Sequence, residues 1–360
     1  MPPLARFITY RILYLPLTML VTTMLLYGFA MLTPPEIRAT LYFGAGADPN
    51  RLSPERIEII REAIIRQYHL RDPFLVQYAI WAGDLLQGEW GWSPLMHDFV
   101  LAALLRRTPV TAELTIYSLL FFIPLGLVSG VLAGTKKDRL PDYRFRLAAF
   151  VFTSLPIFIL SLVLMSIFYV ALNWFPPERI SLKNSQVIRS EEFHTFTGLL
   201  TIDGLLNNRP DISVDAARHL VLPVLALSLL HWATLGRVTR SSVIEEEQKD
   251  YILAGRARGI PERVIIWKHT LRNAITPALT SSALSAASLF TGVFVIEVIF
   301  SLKGISELVI LSMGPYVTPD LPLVLGFAIY SILIVLLIML FLDIIQAIFD
   351  PRIREGILNT

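Results

Sequence analysis

The sequence predicts an all-α membrane protein, and three observations lead to that class. Of the 360 residues, 54% are hydrophobic and only 17% are charged, whereas soluble domains carry roughly 25% charged residues. The mean hydropathy is +0.60. The apolar residues also gather into runs that can cross a bilayer, which takes about 20 residues per helix. The formal net charge of +2 indicates no particular partner, and we expect a lipid bilayer but no nucleic acid.

Six apolar runs are predicted to be membrane-spanning helices. In chain order they are Ile12–Leu32, Leu114–Ala133, Leu147–Leu172, Leu220–Leu235, Ile275–Phe300 and Leu321–Leu342. The fourth and sixth helices are expected to extend over 219–240 and 321–347. The first run is longer than the core of a signal peptide, which has about 7–15 residues, so we interpret 1–32 as the N-terminus and a retained first span.

Prolines lie in or near four of these runs. They are Pro16, Pro124, Pro156 and Pro223. Neighbouring helices of a bundle can satisfy the backbone carbonyls that a proline leaves free. We therefore expect kinks at these positions, not breaks.

The basic residues of the short loops predict the orientation. Five lie between spans two and three, namely Lys136, Lys137, Arg139, Arg144 and Arg146, whereas Lys303 is alone between spans five and six. Short loops rich in Lys and Arg stay in the cytoplasm. Both termini and the segment 250–277 are then cytoplasmic, and the long loops 33–113 and 173–218 lie outside.

The first outer loop has helical patterns, and the second has none. Ser53 and Pro54 predict a helix start, and isoleucines follow at helical spacing. These are Ile57, Ile60, Ile64 and Ile65. A second helix is predicted to end at Gly88, and its neighbourhood contains Trp81, Trp90 and Trp92, which suit a membrane interface. The loop 173–218 is polar and rich in turn residues, without a strong period.

No catalytic or metal-binding residues are predicted. The chain has no cysteine, which excludes thiolate sites and disulfides. The segment "GVLAGTK" at 130–136 is similar to a phosphate loop, but it has three residues between the glycines where the motif needs four, and Thr135 separates Gly134 from the lysine. It also ends a predicted span instead of following a strand. We expect no nucleotide site here.

Polar residues inside the predicted spans admit two interpretations. His231 is either a neutral histidine bonded to a neighbouring helix or a polar group that lines a substrate path. Glu113, Glu297 and Asp343 lie in or at the edges of spans. Structural pairing is favoured for all three acids, with Arg106 or Arg107 as the partner of Glu113.

Span five is unusually rich in small residues. The candidates for subunit packing or for the translocation path are Ser281, Ser285, Ser288 and Gly292, together with His231. Small residues allow helices to approach closely. Close packing within one subunit explains them, and so does a position at the centre of an assembly beside the transport path.

The segment from Asp250 to Thr280 predicts a helix–turn–helix elbow between two spans. Tyr251–Arg258 suits a short helix, Gly259 suits a left-handed cap, and Pro261 suits the first position of a second helix. Apolar residues recur in that second helix at three- and four-residue steps, at Val264, Trp267 and Leu271. An inert linker would need fewer constraints, so we interpret this elbow as a docking element.

This segment resembles the cytoplasmic loop of ATP-binding-cassette importer permeases, in the peptide and nickel branch. The matching residues are Asp250, Tyr251, Arg256, Ala257, Gly259, Val264, His269, Arg272, Asn273 and Pro277. The sequence departs from the branch at Gly255, Arg258 and Pro261, where Ala, Lys and Ser are usual.

The resemblance extends over nearly the whole chain. The segments "LRDPFLVQYAIWAGDLLQGEWG", "FVIEVIFSLKGISELV" and "FDPRIR" are similar to the family's outer loop, span-five ending and C-terminus, although Lys303 replaces the usual proline. The long first outer loop is typical of the first of the two permease types in such systems.

The resemblance implies a fold and a division of labour. The fold would be that of a type I importer permease with six transmembrane helices, a core over 114–360, a coupling elbow at 245–274, and helical or irregular extracytoplasmic insertions. The coupling residues would be Tyr251, Ala254, Gly255, Arg256, Ala257, Gly259, Arg272 and Asn273. The partners would be a second, homologous permease subunit in a heterodimer, two cytoplasmic ATPase subunits and an external substrate-binding protein. The chain would bind no cofactor, because ATP and Mg belong to the ATPase subunits, and it would have no ATPase site of its own.

Two alternatives stay open. A secondary, ion-coupled transporter is the main one, although such proteins tend to show two similar halves and broken helices, and the sequence predicts neither. Within the family, the substrate could be a dipeptide, an oligopeptide, nickel, glutathione or a sugar oligomer.

Overall fold

The structure is a computed structural model that describes residues 3–43, 53–313 and 320–349. Within these ranges the chain is almost entirely helical, which confirms the all-α class. The helices are α1 (Pro3–Ala30), α2 (Pro35–Arg38), α3 (Pro54–Gln67), α4 (Phe74–Leu86), α5 (Val100–Thr135), α6 (Leu140–Ser154), α7 (Ile157–Leu164), α8 (Leu182–Ile188), α9 (Leu200–Leu206), α10 (Pro210–Glu246), α11 (Asp250–Ala257), α12 (Glu262–Val264), α13 (Leu271–Ile299), α14 (Ile305–Ser312) and α15 (Leu321–Phe349).

Shorter elements complete this order. A 3₁₀ turn covers Ala39–Tyr42, and π-helical segments cover Met165–Ala171 and Ile265–Thr270. The strands β1 (Trp92–Ser93) and β2 (Asp98–Phe99) pair antiparallel, with Trp92 opposite Phe99. The C-terminal motif "FDPRIR" lies almost wholly outside the described residues.

Among the residues that the structure describes, four single helices are long and apolar enough to cross a membrane. They are Ile8–Ala30, Val100–Thr135, Pro210–Glu246 and Leu321–Ile344, and the pair Leu140–Ser154 and Ile157–Ala171 makes a fifth if it counts as one span. The fifth predicted span falls on α13, which is not among these helices. A multi-pass membrane protein is confirmed, and the count of six spans stays a prediction.

The third predicted span is not a single kinked helix. Its two halves, α6 and α7, are bent by 106° where Leu155 and Pro156 adopt extended backbone conformations. A proline disfavours the helical conformation of the residue before it, which explains the break. The expectation of mere kinks is therefore wrong at Pro156, whereas Pro16 and Pro223 lie inside unbroken helices.

Two helices extend beyond the apolar runs that predicted the second and fourth spans. The helix of span two begins at Val100 and not at Leu114, and the helix of span four begins at Pro210. The residues added at these ends include charged side chains, which a hydropathy criterion rejects, but a helix needs only one buried face. Both helices thus begin within the segments predicted as outer loops, 33–113 and 173–218, and the second segment also contains α8 and α9.

The chain divides into two compact units. The first comprises Met1–Ile8, Val110–Lys303 and Ile338–Thr360, and the second comprises Thr9–Pro109 and Gly304–Leu337. In the first unit, the core is formed around α10, with Phe122 of α5, Leu227 of α10 and Leu289 of α13 fully buried.

Three glycines of α5 allow close packing against α10. A Cβ atom at Gly126 would lie 2.9 Å from Leu235, one at Gly130 would lie 2.6 Å from the carbonyl oxygen of Gly236, and one at Gly134 would lie 2.7 Å from Val243. Small residues four apart let two membrane helices approach closely. The segment 130–136 that is similar to a phosphate loop is thus part of this helix contact.

The second unit contains the helices predicted in the first outer loop. Helix α3 follows Ser53 and starts at Pro54, as predicted, and Ile64 and Ile65 of its apolar stripe are buried. Helix α4 ends before Gly88, whose φ is +88°. Trp81 does not lie at an exposed interface position, because it packs in the core with its ring 4.7 Å from that of Tyr27.

Candidate functional site

The elbow between α10 and α13 begins with helix α11 and a glycine turn. Gly259 has φ +74°, the left-handed conformation that glycine adopts without steric cost. The amide of Ile260 donates to the carbonyl of Gly255 (3.2 Å), and that of Gly259 to Arg256 (3.0 Å). These two bonds are the Schellman pattern of a helix C-terminus, so the predicted cap is confirmed.

The second arm of the elbow continues into α13. Glu262–Val264, the π-helical segment Ile265–Thr270 and Leu271–Ile299 follow one another without a non-helical residue. Pro261 precedes this helical column in an extended conformation, one residue earlier than its predicted role, and Pro277 lies within α13 and not at its start. The second arm and the predicted fifth span are therefore one continuous element.

Charged and polar side chains hold the two arms together. Arg256 donates to Glu247 (3.0 Å) and to Glu262 (2.6 Å), so one guanidinium links α11 to the C-cap residue of α10 and to α12. The hydrogen bond from Arg256 lowers the pKa of the Glu262 carboxyl. Tyr251 donates to Glu246 (2.5 Å) and accepts from Asn273 (2.8 Å). The sequence indicated Arg256, Tyr251 and Asn273 only through the family resemblance. Their hydrogen-bond partners do not lie four residues away along the chain, so helical spacing does not predict these contacts.

The base of the elbow packs inside the first unit. Ala274 at the start of α13 is buried with Val131 of α5 and Val243 of α10, and Leu271 and Ile266 pack on this cluster. Ile252 of α11 and Ile265 are also buried. A displacement of the elbow would therefore act on α5, α10 and α13 together.

The outer part of the elbow is exposed and partly apolar. Ala254, Ala257, Gly259 and Arg272 are exposed, and so are four large apolar side chains. These are Tyr251, Leu253, Val264 and Trp267. Gly255 is half-buried, and a Cβ atom there would lie 3.8 Å from Ile260, which leaves room for the alanine usual in the family.

Three candidate path residues line one cleft. His231 of α10 and Ser288 and Gly292 of α13 border an open cleft of about 510 Å³, which the α6–α7 bend completes at Thr153–Ile157. The His231 ring lies 5.6 Å from that of Phe122. A Cβ atom at Gly292 would lie 2.9 Å from Leu227. Gly292 therefore serves close packing and borders the cleft as well.

The other two small-residue candidates do not border this cleft. Ser285 is buried, and its carbonyl accepts a hydrogen bond from the Ser288 hydroxyl (3.0 Å). Ser281 is half-buried. In the small-residue segment of α13, the residues nearer the elbow thus serve helix packing, and those nearer Gly292 border the cleft.

The acids at the span edges are buried in protein, and one predicted pairing is wrong. Glu113 accepts from Arg179 (3.0 Å) and from the Thr201 hydroxyl (2.6 Å), so its partner is neither Arg106 nor Arg107. Those two arginines pair with Asp98 and Glu307 instead. The segment around Arg179 has no hydrophobic period, and no local pattern places it beside Glu113.

Glu297 and Asp343 are also buried, and Glu297 accepts a hydrogen bond from the Thr111 hydroxyl (2.5 Å). Asp142 forms a further buried pair: it is fully buried, and Arg240 donates to both its carboxylate oxygens, at 2.5 and 2.8 Å. This pair fixes α6 against α10 near the basic segment 136–146. Its two members are far apart in the sequence, and no local pattern indicated it.

Comparison with known proteins identifies the family. A family model described as "Binding-protein-dependent transport system inner membrane component" matches residues 91–355, which include the elbow, the cleft and both buried pairs. The chain belongs to this family. The resemblance to importer permeases drawn from the elbow motif is thereby confirmed.

Individual relatives are similar over most of their length. A dipeptide transport system permease protein of Alkalihalophilus pseudofirmus is 31% identical over 302 residues, which cover 84% of this chain and 87% of the relative. A di/tripeptide transport system permease protein of Pseudomonas aeruginosa is 32% identical over 286 residues, covering 79% and 82%. An oligopeptide transport system permease protein of Bacillus subtilis is 31% identical over 313 residues, covering 86% and 90%.

Membership of this family makes the chain a multi-pass inner-membrane permease subunit and not itself an enzyme. The elbow and the cleft both involve α13 of this permease. The elbow is a braced, exposed element continuous with α13. The cleft borders the same helix farther along.

Proposed function

We propose that this permease forms half of the translocation path of an ATP-driven importer of dipeptides or oligopeptides, and that the elbow couples it to a separate ATPase subunit. The observation that carries the coupling is the continuity of the elbow with α13. Residues 262–299 form one helical column, so a force on the exposed turn reaches the cleft through backbone hydrogen bonds. The peptide substrate class is supported by the names of the relatives, which transport dipeptides, tripeptides or oligopeptides.

The elbow suits docking by its surface as well. Leu253 and Trp267 are about half exposed, and the small residues Ala254, Ala257 and Gly259 leave the backbone of the turn accessible. Large apolar side chains beside small residues can bury area against a partner without steric conflict. The coupling residues would thus divide into contact residues at the turn and internal braces, the latter being Arg256, Tyr251 and Asn273.

The transport step follows from a two-state movement of the helices. Closure of two ATPase subunits on ATP would push the elbows together, and the cluster of Ala274, Val131 and Val243 would transmit this push to α5 and α10. The cleft at His231, Ser288 and Gly292 would then open to the other side of the membrane. Packed helices respond by switching between discrete arrangements and not by continuous deformation.

The proposed importer contains several other subunits besides this chain. They would be a second, homologous permease subunit, two ATPase subunits that bind ATP and Mg, and an external binding protein that delivers the substrate. The basic segment 136–146 supports an orientation in which both termini and the elbow are cytoplasmic. The helical segments α2–α4, α8 and α9 would then face the binding protein.

Transport in proteoliposomes tests the proposal. The complete complex is reconstituted with ATP inside or outside, and the uptake of a radiolabelled tripeptide is measured in the presence of the binding protein. We expect uptake of the tripeptide to require ATP on the elbow side of the membrane. We also expect that neither nickel nor a sugar oligomer inhibits this uptake. Uptake driven by an ion gradient without ATP would favour a secondary transporter, and efficient competition by nickel would contradict the peptide assignment.

A further inference from the structure

The second unit contains a cavity of about 340 Å³ that neither the elbow nor the cleft explains. Aromatic and acidic side chains face it, among them Tyr42, Tyr68, Trp90, Trp92, Asp84 and Glu89. All of them belong to the segment between the membrane-spanning helices α1 and α5, and the proposed function assigns no role to the cavity itself.

The end of α4 brings two carboxylates to this cavity. Asp84 lies in the last turn of α4, and Glu89 follows the helix after Gly88, whose φ of +88° turns the chain back. The amide of Glu89 donates to the carbonyl of Asp84 (2.9 Å). The C-terminal end of a helix also carries a partial negative charge. The negative potential at this place is therefore built by the local fold.

Aromatic rings line the same cavity. The rings of Tyr42 and Tyr68 stack with their centroids 3.9 Å apart, and Trp90 stands edge-on to Tyr330 at 6.2 Å. The Tyr42 hydroxyl lies near that of Tyr27, and burial raises its pKa, so it stays protonated and neutral.

The two carboxylates lack a counter-ion within the described ranges. Burial raises the pKa of the Asp84 carboxyl, and the charge of Glu89 raises it further. Burial also raises the pKa of the Tyr68 hydroxyl, as do the charges of Asp84 and Glu89. Basic residues of the same unit bind elsewhere: Arg38 to Gln77, and Arg71 to Glu62. Two neighbouring like charges without a cation destabilise one another, so this arrangement favours the binding of a positively charged ligand.

We propose that this cavity binds the primary ammonium group of a small organic cation. The carboxylates of Asp84 and Glu89 would accept its N–H bonds, and the aromatic faces would hold both the cation and its apolar body. The ammonium group could belong to a free amine in solution or to the ethanolamine headgroup of a lipid, because the cavity lies in a segment that joins two membrane helices. This inference goes beyond the proposed function and does not depend on it.

Tryptophan fluorescence of the full chain in lipid nanodiscs tests the proposal. Trp81, Trp90 and Trp92 line the cavity, so a bound guest changes their emission. Phenethylamine is titrated against its neutral counterpart 2-phenylethanol in discs of phosphatidylcholine. We expect a saturable signal for the amine alone. In discs that contain phosphatidylethanolamine, a raised apparent Kd for the amine identifies the lipid headgroup as the natural guest, and an unchanged Kd identifies a free amine.

Variants locate the binding in the cavity. The double change Asp84→Asn with Glu89→Gln should raise the Kd for phenethylamine by about tenfold or more, since it removes the charge from both acceptors. The control Glu62→Gln, in the neighbouring helix α3 and paired with Arg71, should leave the Kd unchanged. Equal signals for amine and alcohol, no saturable signal, or an unchanged Kd in the folded double variant would overturn the proposal. The comparison of amine with alcohol needs no variant, so it stays decisive if the double variant does not fold.

Discussion

At the scale of single residues, the elbow depends on Gly259 and on the side chains that brace its two arms. Gly259 has φ +74° with nothing within 4 Å of the position of a Cβ atom. The constraint there is therefore the backbone conformation and not space. Arg256, held by Glu247 and Glu262, fixes the angle between the arms that the glycine turn makes possible.

The first prediction concerns this glycine. The left-handed conformation costs a residue other than glycine about 1 kcal/mol or more, and a β-branched side chain is the least suited to it. Gly259→Val should leave the chain inserted in the membrane but misdirect the second arm. We expect substrate-stimulated ATP hydrolysis of the purified complex to fall by about fivefold or more, as a shift of one kcal/mol allows.

Gly255→Ala is the matched control for this change. Gly255 lies in the same elbow, in α11, and the nearest atom to an added Cβ is 3.8 Å away. Its substitution should preserve stimulated hydrolysis and should slightly favour the helix, because alanine has the higher helix propensity. Full stimulation in Gly259→Val would contradict the role assigned to the turn.

The sequence predicted the local features of single residues well and their distant partners poorly. The turns at Gly259 and Gly88, the start of α3 at Pro54 and its isoleucine stripe are encoded within a few residues, so patterns of spacing reveal them. Ser53 stands at the N-cap position, but its side chain makes no capping hydrogen bond. The partner of Glu113 is Arg179, and that of Asp142 is Arg240. Such pairs depend on how helices pack, and no window of neighbouring residues contains that information.

At the scale of elements, three glycines on α5 set the distance to α10. A Cβ atom at Gly130 would lie 2.6 Å from a backbone oxygen of α10, closer than any side chain tolerates. The two helices meet backbone to backbone there. This contact lies beside Val131, which packs on the base of the elbow.

The second prediction follows from this contact. Gly130→Ala should force α5 away from α10 and destabilise the permease by about 1–3 kcal/mol, the usual effect of overpacking. The measurement is the melting temperature of the purified chain. Gly83→Ala, at a helix position with nothing within 4 Å of the added Cβ, is the control and should not lower it. An unchanged melting temperature in Gly130→Ala would show that the helices do not pack as the structure has them.

Element boundaries were predicted less well than element types. The apolar runs located every long helix, but hydropathy ignores the polar turns that extend α5 and α10 by 14 and 10 residues relative to 114 and 220. The break at Leu155–Pro156 was predicted as a kink because a sequence does not show whether neighbouring helices support the chain through a proline. The four-residue spacing of Gly126, Gly130 and Gly134 was a signal that could have identified the α5–α10 contact.

At the scale of the whole molecule, the orientation in the membrane decides which partners can reach which surface. The third prediction uses the absence of native cysteine. A cysteine at Ser190, which is exposed beyond α8, should react with an impermeant thiol reagent in intact cells. A cysteine at Gln248, exposed between α10 and α11, should react only after the cells are opened. The reverse pattern would place the elbow outside and exclude a cytoplasmic ATPase as its partner.

The central claim is that the exposed elbow docks on an ATPase subunit. Cross-linking in the complete complex tests it most directly, with a cysteine at Leu253, which is 55% exposed on α11, and a short bifunctional thiol reagent. We expect Leu253→Cys to form a covalent adduct with the ATPase subunit, whose yield changes when ATP is added. Ser190→Cys, also exposed but far along the chain from the elbow, should form none. If Leu253→Cys reacts with the reagent but forms no adduct with the ATPase, with or without ATP, the elbow is not the coupling element.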